Sequence, residues 1–468
     1  MRIEETLQRW LEPFGGELPP LYLVGGAVRD RLLGRAPKDV DLMCAEPESF
    51  ARRLGDRHRA AVVPFTGKTE APCFRVVSRK EKGDFIDVVG IQGGSVEADL
   101  ARRDFTFNAM AMRVVSAGRL SEPIDLFGGV EDLAARRIRA TGPGVFAADP
   151  LRIVRAARFA AELGFEIDAG TFDLMRAAAA GLAATPGERI SRELWPVLRH
   201  PSASRYVRIL DDAGALDALF PETGPMKGCI QGGHHHLDVW GHSLAALEAL
   251  EEILNQACTH FGAAAPALLE NLGRENRLPI LKLALLLHDA GKPESRAVDP
   301  AGGRVTFLGH AVRSLAAAER AAERLRLASR ERELLVTLVG SHMSAIDLGR
   351  PGVTQATLLR WFRRLGEEMP LLVLLSMADV AATRGPASPE AEREHHQRWG
   401  RETIGLFFGT LRQRLAEPAL IDGNDLITMG LPPGPELGRI LRKVRAAQDE
   451  RRVATRKEAL RLAQSLMK

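Results

Sequence analysis

A change of texture near Asp149 most constrains what this chain can fold into. Before it, short runs rich in β-branched and apolar residues (LYLVGG, DVDLMC, AAVVPF, CFRVVS, DFIDVVG, AMAMRVV) are separated by Gly, Pro and charged turns; after it, Ala, Leu and Arg recur at helical spacing to the end. Strands confined to one end and helices to the rest predict an α+β chain. At 468 residues the chain exceeds one hydrophobic core, so it is expected to be multidomain. The expected architecture is an α/β head with a small mixed sheet over 1–145, an all-α neck over 146–225, a helical domain over 226–390 and a helical tail over 391–468. The Gly/Pro-rich stretches PETGPMKGCIQGG and TRGPASPE punctuate the helical part near the last two of these boundaries.

Composition narrows the class. With 45% hydrophobic and 26% charged residues and no long apolar run, nothing reads as membrane-spanning or disordered. The opening MRIEETLQRW is amphipathic and lacks the features of a secretory signal, so a cytoplasmic protein is expected. Cys44, Cys73, Cys229 and Cys258 lie far apart without a CxxC pair, which argues against a structural zinc site or a disulfide framework. The net charge of +4 is uneven: residues 401–468 hold 13 Lys or Arg against 8 Asp or Glu, a surplus of five. That tail is either a solvated helix face or a surface for a polyanion.

In LYLVGGAVRDRLLG, Gly25 and Gly26 end an apolar strand and lead into a helical stretch carrying Arg29. Such a turn lets backbone N–H groups, a helix N-terminus and a guanidinium approach phosphate oxygens. In PKDVDLMC, Asp39 and Asp41 alternate by two, so both carboxylates are expected on one face of a strand. Two like charges there are costly unless a divalent cation such as Mg²⁺ neutralises them. Asp87, in FIDVVG, either completes a two-metal cluster or ends a salt bridge.

These motifs, followed by ARRDFTFNAMA, DLFGGVEDL, ADPLRIVRAARFAAELGF and GERISREL, occur in an order that resembles class II tRNA nucleotidyltransferases and bacterial poly(A) polymerases. The resemblance implies Asp39 and Asp41 as catalytic ligands of Mg²⁺, Gly26 and Arg29 at the triphosphate, and Arg103 with Asp104 near the nucleotide's sugar or phosphates. Asp149 followed by Pro150 reads as a helix start, and Arg152, Arg155 and Arg158 recur every three residues as one basic ridge. By resemblance Asp149 and Arg152 form a protein template for the edge of the incoming C or A, while Arg155 and Arg158 hold phosphates. The RNA 3′-hydroxyl is then expected to attack the α-phosphorus of CTP or ATP in line, releasing pyrophosphate.

A second constellation lies in the helical part. LKLALLLHDAGKP is an apolar helix ending in His288 and Asp289, a placement that is unfavourable when buried unless the pair ligates something. His242, His310, His342 and Asp379 complete a set that resembles the HD phosphohydrolase superfamily. The pattern maps onto His242, His288, Asp289 and Asp379, with His310 and His342 as ligands of a second metal. Such donors suit Mn, Fe, Ni or Mg, and the resemblance implies 2′,3′-cyclic phosphodiesterase or phosphatase chemistry. The run His234–His236 reads as incidental to a linker.

The tail string GLPPGPELG resembles the C-terminal segment of the same nucleotidyltransferases, where it grips tRNA through phosphates and RNA shape. The expected function is therefore template-independent addition of C or A from CTP and ATP to the tRNA 3′ end. The family's CCA enzymes carry an arginine-containing DGRR-type segment between Asp87 and Arg102, and here only VVGIQGGSVEADLA stands, a shortening that resembles CC-adding enzymes. Poly(A) polymerase, an HD phosphohydrolase with a vestigial head, and a non-enzymatic RNA-binding protein are the alternatives.

Overall fold

The computed structural model describes residues 3–65, 72–81, 83–299, 304–409, 411 and 417–467. The chain forms two compact units: Met1–Thr185 with Tyr206–Ala218, and Pro186–Arg205 with Leu219–Lys468. This division is coarser than the four expected segments, and residues 146–185 belong with the head.

The first unit is built on a seven-stranded mixed sheet of β1 (Tyr22–Val24), β2 (Asp41–Cys44), β3 (Ala61–Phe65), β4 (Cys73–Val77), β5 (Phe85–Gly90), β6 (Met110–Ser116) and β7 (Arg119–Asp125), in the order β3-β4-β5-β2-β1-β6-β7. Only β2 and β5 run parallel; the other neighbours are antiparallel. The helices α1 (Ile3–Leu11), α2 (Gly26–Leu32), α3 (Pro47–His58), α4 (Val96–Ala101), α5 (Gly129–Ala134), α6 (Val145–Ala148), α7 (Leu151–Leu163) and α8 (Ala169–Ala178) accompany the sheet. Runs of buried residues in the central strands and an apolar stripe on α1 and α3 bring Leu23, Leu42, Ile86, Val88, Phe50 and Leu54 inside.

Two motifs of the sequence prove to be connectors. In DLFGGVEDL, Asp125 accepts the N–H groups of Gly129 and Val130 at 2.8 and 2.9 Å, which starts α5. A Cβ on Gly129 would lie 2.4 Å from the Thr106 carbonyl oxygen, so only glycine allows that approach. Asp132, fully buried, accepts Thr106 Oγ1 at 2.6 Å, Arg137 Nε at 2.6 Å and Arg139 Nε at 2.9 Å. It thereby joins ARRDFTFNAMA to the strand that follows α5.

The second unit is helical. The helices Val239–Asn255, Arg277–Leu287, His310–Arg324, Ser329–Leu348 and Met369–Ala382 pack together, and almost every residue of Met369–Ala382 is buried. Lys282, 1% exposed, crosses this core to Glu251 Oε1 (2.9 Å) and the His200 carbonyl (2.7 Å), with Ser204 Oγ donating to the other Glu251 oxygen at 2.7 Å. The tail helices Gly423–Thr428, Pro435–Asp449 and Arg456–Leu466 close over Leu426, Ile440, Val444, Ala459 and Ala463. Arg363, in the helix Gln355–Leu365, reaches Asp449 of that layer at 2.8 Å. Among the described residues no helix is long and apolar enough to cross a membrane.

Replacing Asp132 by alanine leaves a buried hydroxyl and two guanidinium groups without their acceptor. It should destabilise the first unit by about 3 kcal/mol, read as faster hydrogen exchange in β6.

Candidate functional site

The head site forms where three strands present charged side chains in one row. Asp41 pairs with Asp87 across the parallel β2–β5 ladder, and Arg75 pairs with Asp87 across the antiparallel β4–β5 ladder. Paired residues project to the same face, so the row Arg75–Asp87–Asp41 follows from register. Asp39 is not in the strand, which begins at Asp41; it precedes β2 by two residues and is exposed. The alternation nevertheless continues past the strand end, because Val40 is buried and its carbonyl accepts the Asp87 N–H at 3.0 Å. Burial, then Asp87, then Asp39 push the Asp41 carboxyl up to about 6, with Arg103 and Arg75 opposing. Asp87 does not stand open: Arg75 Nε and Nη2 reach its two oxygens at 2.7 and 2.6 Å. Cys73 lies two residues before Arg75, and burial followed by Asp87 and Asp41 pushes its thiol up to about 11, so it stays protonated.

The glycine turn lies at the end of β1. Gly25 has φ +66° and ψ −131°, and a Cβ there would fall 2.7 Å from Arg103 Nη1. Its N–H bonds the Met110 carbonyl at 3.3 Å, so the residue's contribution is conformation and close approach. Arg103 is held by Asp99 at 3.0 Å. Gly26 opens α2, one turn before Arg29.

From Arg29 a chain of contacts runs to the basic ridge. Arg29 Nη1 donates to Asn108 Oδ1 at 3.0 Å, Asn108 Nδ2 donates to Asp104 Oδ1 at 3.1 Å, and Arg155 reaches Asp104 Oδ2 through Nε and Nη2 at 2.9 and 2.7 Å. Asp104 is buried; burial raises its pKa, but Arg155 together with the hydrogen bonds from Asn108 and the Phe105 N–H outweighs it and holds the carboxyl below its ordinary range. Phe159 lies beneath the ridge, with the guanidinium carbons of Arg29, Arg155 and Arg158 at 5.3, 5.4 and 4.2 Å from its ring centroid. Asp149 is one residue outside the expected helix start: α7 begins at Leu151, Pro150 stands at the N-cap, and Asp149 Oδ1 accepts the Leu151 N–H at 3.3 Å. Arg152 donates to the carbonyls of Arg102 (2.7 Å) and Val145 (3.3 Å), which fixes its guanidinium beside Asp149. Arg158 pairs with Glu162 at 2.7 Å.

The second unit brings together all six of its expected residues. His242 Nε2 lies 2.9 Å from Asp379 Oδ1 and 3.8 Å from Asp289 Oδ2, and His288 Nε2 lies 3.2 Å from Asp289 Oδ2 and 3.7 Å from Asp379 Oδ1. His310 and His342 approach the other Asp289 oxygen at 3.5 and 3.8 Å, with their Nε2 atoms 3.2 Å apart. Two donor groups, His242–His288–Asp289 and Asp289–His310–His342, therefore share one carboxylate. His288, His310 and His342 each direct Nδ1 to the carbonyl three residues earlier, at 2.8, 2.9 and 2.7 Å, which turns Nε2 inward. The buried His288 Nε2 has no hydrogen-bond partner even with Asp289 nearby, and buried His242 Nδ1 has none either. The His288 Nε2 atom, without a hydrogen-bond partner and facing two carboxylates, fits a divalent cation. A Cβ on Gly291 would lie 2.3 Å from the His310 carbonyl oxygen, so HDAGKP packs directly on the helix that starts at His310.

Several residues escaped the sequence reading. Lys292 Nζ lies 2.6 Å from both Asp289 Oδ2 and Gln231 Oε1. Its position one turn after Asp289 was a usable signal; Gln231, remote in sequence, left none. Of the three adjacent histidines, His234 and His236 are exposed, whereas His235 sets its ring edge-on to His242 with centroids 4.6 Å apart. Arg75 and Phe159 are visible only through cross-strand and cross-helix neighbours.

A mixed sheet with a glycine turn and paired acids beside a basic helix is the arrangement of a nucleotidyl-transferring head. Residues 21–139 match the family described as poly A polymerase head domain, and residues 164–226 match the probable RNA and SrmB-binding site of polymerase A. The chain is 34% identical over 447 residues to the A-adding tRNA nucleotidyltransferase of Deinococcus radiodurans, covering 94% of each. It is also 34% identical over 444 residues to the CC-adding tRNA nucleotidyltransferase of Thermus thermophilus, covering 94% of this chain and 92% of that one. The fold is similar to that of the Thermotoga maritima CCA-adding enzyme solved with tRNA, at a TM-score of 0.65 and 20% identity over 100% of this chain and 95% of that chain. This chain belongs to the tRNA nucleotidyltransferase family.

The raised Asp41 carboxyl sets a pH dependence. Its folded pKa of about 6 lies above the ordinary 3.8, so its share of stability is complete below pH 4 and is lost as pH rises through 6. Metal-free Asp41→Asn protein should therefore be more stable than wild type by about 2 kcal/mol at pH 8, and the gap should close near pH 4 in denaturant titrations with chelator.

Proposed function

We propose that this protein adds nucleotides to the 3′ end of tRNA without a nucleic-acid template, releasing pyrophosphate, and that its own addition uses CTP and stops after two cytidylates. The paired acids carry the first part of this reading. Asp39 and Asp41 would hold Mg²⁺, which supplies a Lewis acid at the reacting phosphate. The turn at Gly25 and Gly26, with Arg29 and Arg103, would receive the triphosphate. Asp149 and Arg152, one turn apart and with Arg152 pinned on two carbonyls, would present an acceptor and a donor to the base edge. Arg155 and Arg158 would supply positive potential along the same helix. The terminal hydroxyl of the RNA attacks the α-phosphorus in line, and the bond to the leaving pyrophosphate breaks.

The connection after β5 carries the second part. Only residues 91–95 separate β5 from α4, and they are tied down by Ile91 N–H to the Cys44 carbonyl at 3.1 Å and Gln92 N–H to Asp99 Oδ1 at 3.1 Å. The longer arginine-bearing segment that accompanies full CCA addition in this family has no room in so tight a turn. With tRNA lacking its CCA end, labelled CTP should extend the RNA by two residues, and adding ATP should give no third. A three-residue product would refute the CC restriction, and no incorporation would refute the transfer reaction itself.

The histidine cluster favours a second activity, metal-dependent hydrolysis of phosphate esters at RNA ends. The observation behind it is Asp289 shared between two imidazole pairs, a bridging carboxylate of the kind that holds two cations of the Mn, Fe, Ni or Mg type. With Mn²⁺ or Ni²⁺ present, the protein should hydrolyse bis(p-nitrophenyl) phosphate. His288→Ala should remove that activity and leave CTP incorporation in place; hydrolysis that survives the substitution would exclude this site.

A further inference from the structure

We propose that Arg75 is a positioning residue that keeps Asp87 out of the metal shell, so that Asp39 and Asp41 alone supply carboxylates to the divalent cation of the head. This rests on the reading that Asp39 and Asp41 hold the metal. Arg75 faces Asp87 side-on, with Nε and Nη2 on different oxygens at 2.7 and 2.6 Å, the bidentate fit of guanidinium to carboxylate. Its guanidinium carbon stands 3.8 Å from the Phe85 ring centroid and 5.1 Å from that of Phe65. Two rings and two hydrogen bonds leave the planar group little freedom.

Register makes the consequence specific. Asp87 is the middle member of the row, between Arg75 on β4 and Asp41 on β2. To ligate a cation beside Asp41, Asp87 would have to abandon its bidentate ion pair with the partly exposed Arg75 and leave a guanidinium facing a divalent charge. With the pair intact, Arg75 and Asp87 are together neutral, and the cation meets two carboxylate charges. Without Arg75 a third acid would crowd Asp41, and a third ligand would become available.

The test is a cycle of substitutions read by Mn²⁺ binding to the full chain, using the paramagnetic resonance of unbound Mn²⁺. Every protein carries Asp289→Asn so that the histidine cluster of the second unit does not contribute. Asp41→Asn identifies the head component and should weaken it at least about tenfold. Arg75→Met alone releases Asp87 and should tighten Mn²⁺ binding. Arg75→Met with Asp87→Asn removes the pair as a neutral unit and should leave the Asp41-dependent affinity within about threefold of the parent. Loss of about tenfold or more in the double variant, matching Asp41→Asn, would make Asp87 a ligand and overturn the proposal. If Arg75→Met does not fold, the double variant still decides, because no buried charge is left unpaired in it. If Asp41→Asn leaves Mn²⁺ binding unchanged, the reading of the acid pair as metal holder falls; if Asp41→Asn and the double variant both abolish binding, only the role of Arg75 falls.

Discussion

Like charge held close together is the constraint on which the head depends. Pairing β2 with β5 in parallel sets Asp41 directly beside Asp87, and burial raises the penalty for ionising both. A fold can carry such a pair only if cations are built in or recruited. Here Arg75 is built in on one side, Arg103 adds positive potential from beyond the glycine turn, and the remaining demand at Asp41 is what a metal would meet. The Gly25 turn belongs to the same balance, since a side chain there would clash with the Arg103 guanidinium.

The second unit applies the same logic with different donors. Asp289 is surrounded by four imidazoles and by Lys292, whose ammonium touches one of its oxygens. Burial alone would raise the carboxyl, yet His288 and Lys292 hold it well below its ordinary range. Three of the four histidines are oriented by backbone carbonyls of their own preceding turn, so ligand geometry is set by helix or turn structure without a dedicated outer shell of side chains. In both units a resident cation pairs with a carboxylate of the acid cluster: Arg75 with Asp87, which neighbours Asp41, and Lys292 with Asp289 itself.

What could be read from the sequence follows from how local each signal is. The glycine turn, the alternation around Val40, the helix ending in His288 and Asp289, and the three-residue arginine spacing are encoded within a few residues, so each is legible without knowledge of the fold. Element edges were less legible: Asp39 falls before its strand and Asp149 before its helix cap, because end pairing and proline geometry decide those limits. Cross-strand register was not legible. Nothing in CFRVVS announces that Arg75 meets Asp87, and that meeting decides how Asp87 behaves. Likewise GGHHHLD gives no hint that the middle histidine turns inward while its neighbours face solvent, since tertiary packing alone separates them.

Register and packing also link the glycine turn to the basic helix within the first unit. The path Arg29–Asn108–Asp104–Arg155 crosses from α2 to α7 through short charge-assisted bonds, and Phe159 fills the space under three of its guanidinium groups. The glycine turn that would receive triphosphate and the helix that would read the base are therefore braced against one another through buried Asp104. A template made of protein must hold its donor and acceptor at fixed distance from the reacting phosphate, because a base pair misplaced by an ångström loses both fidelity and rate. Arg152 is held apart from this path on the carbonyls of Arg102 and Val145, so the two ends of the braced body are fixed by separate contacts.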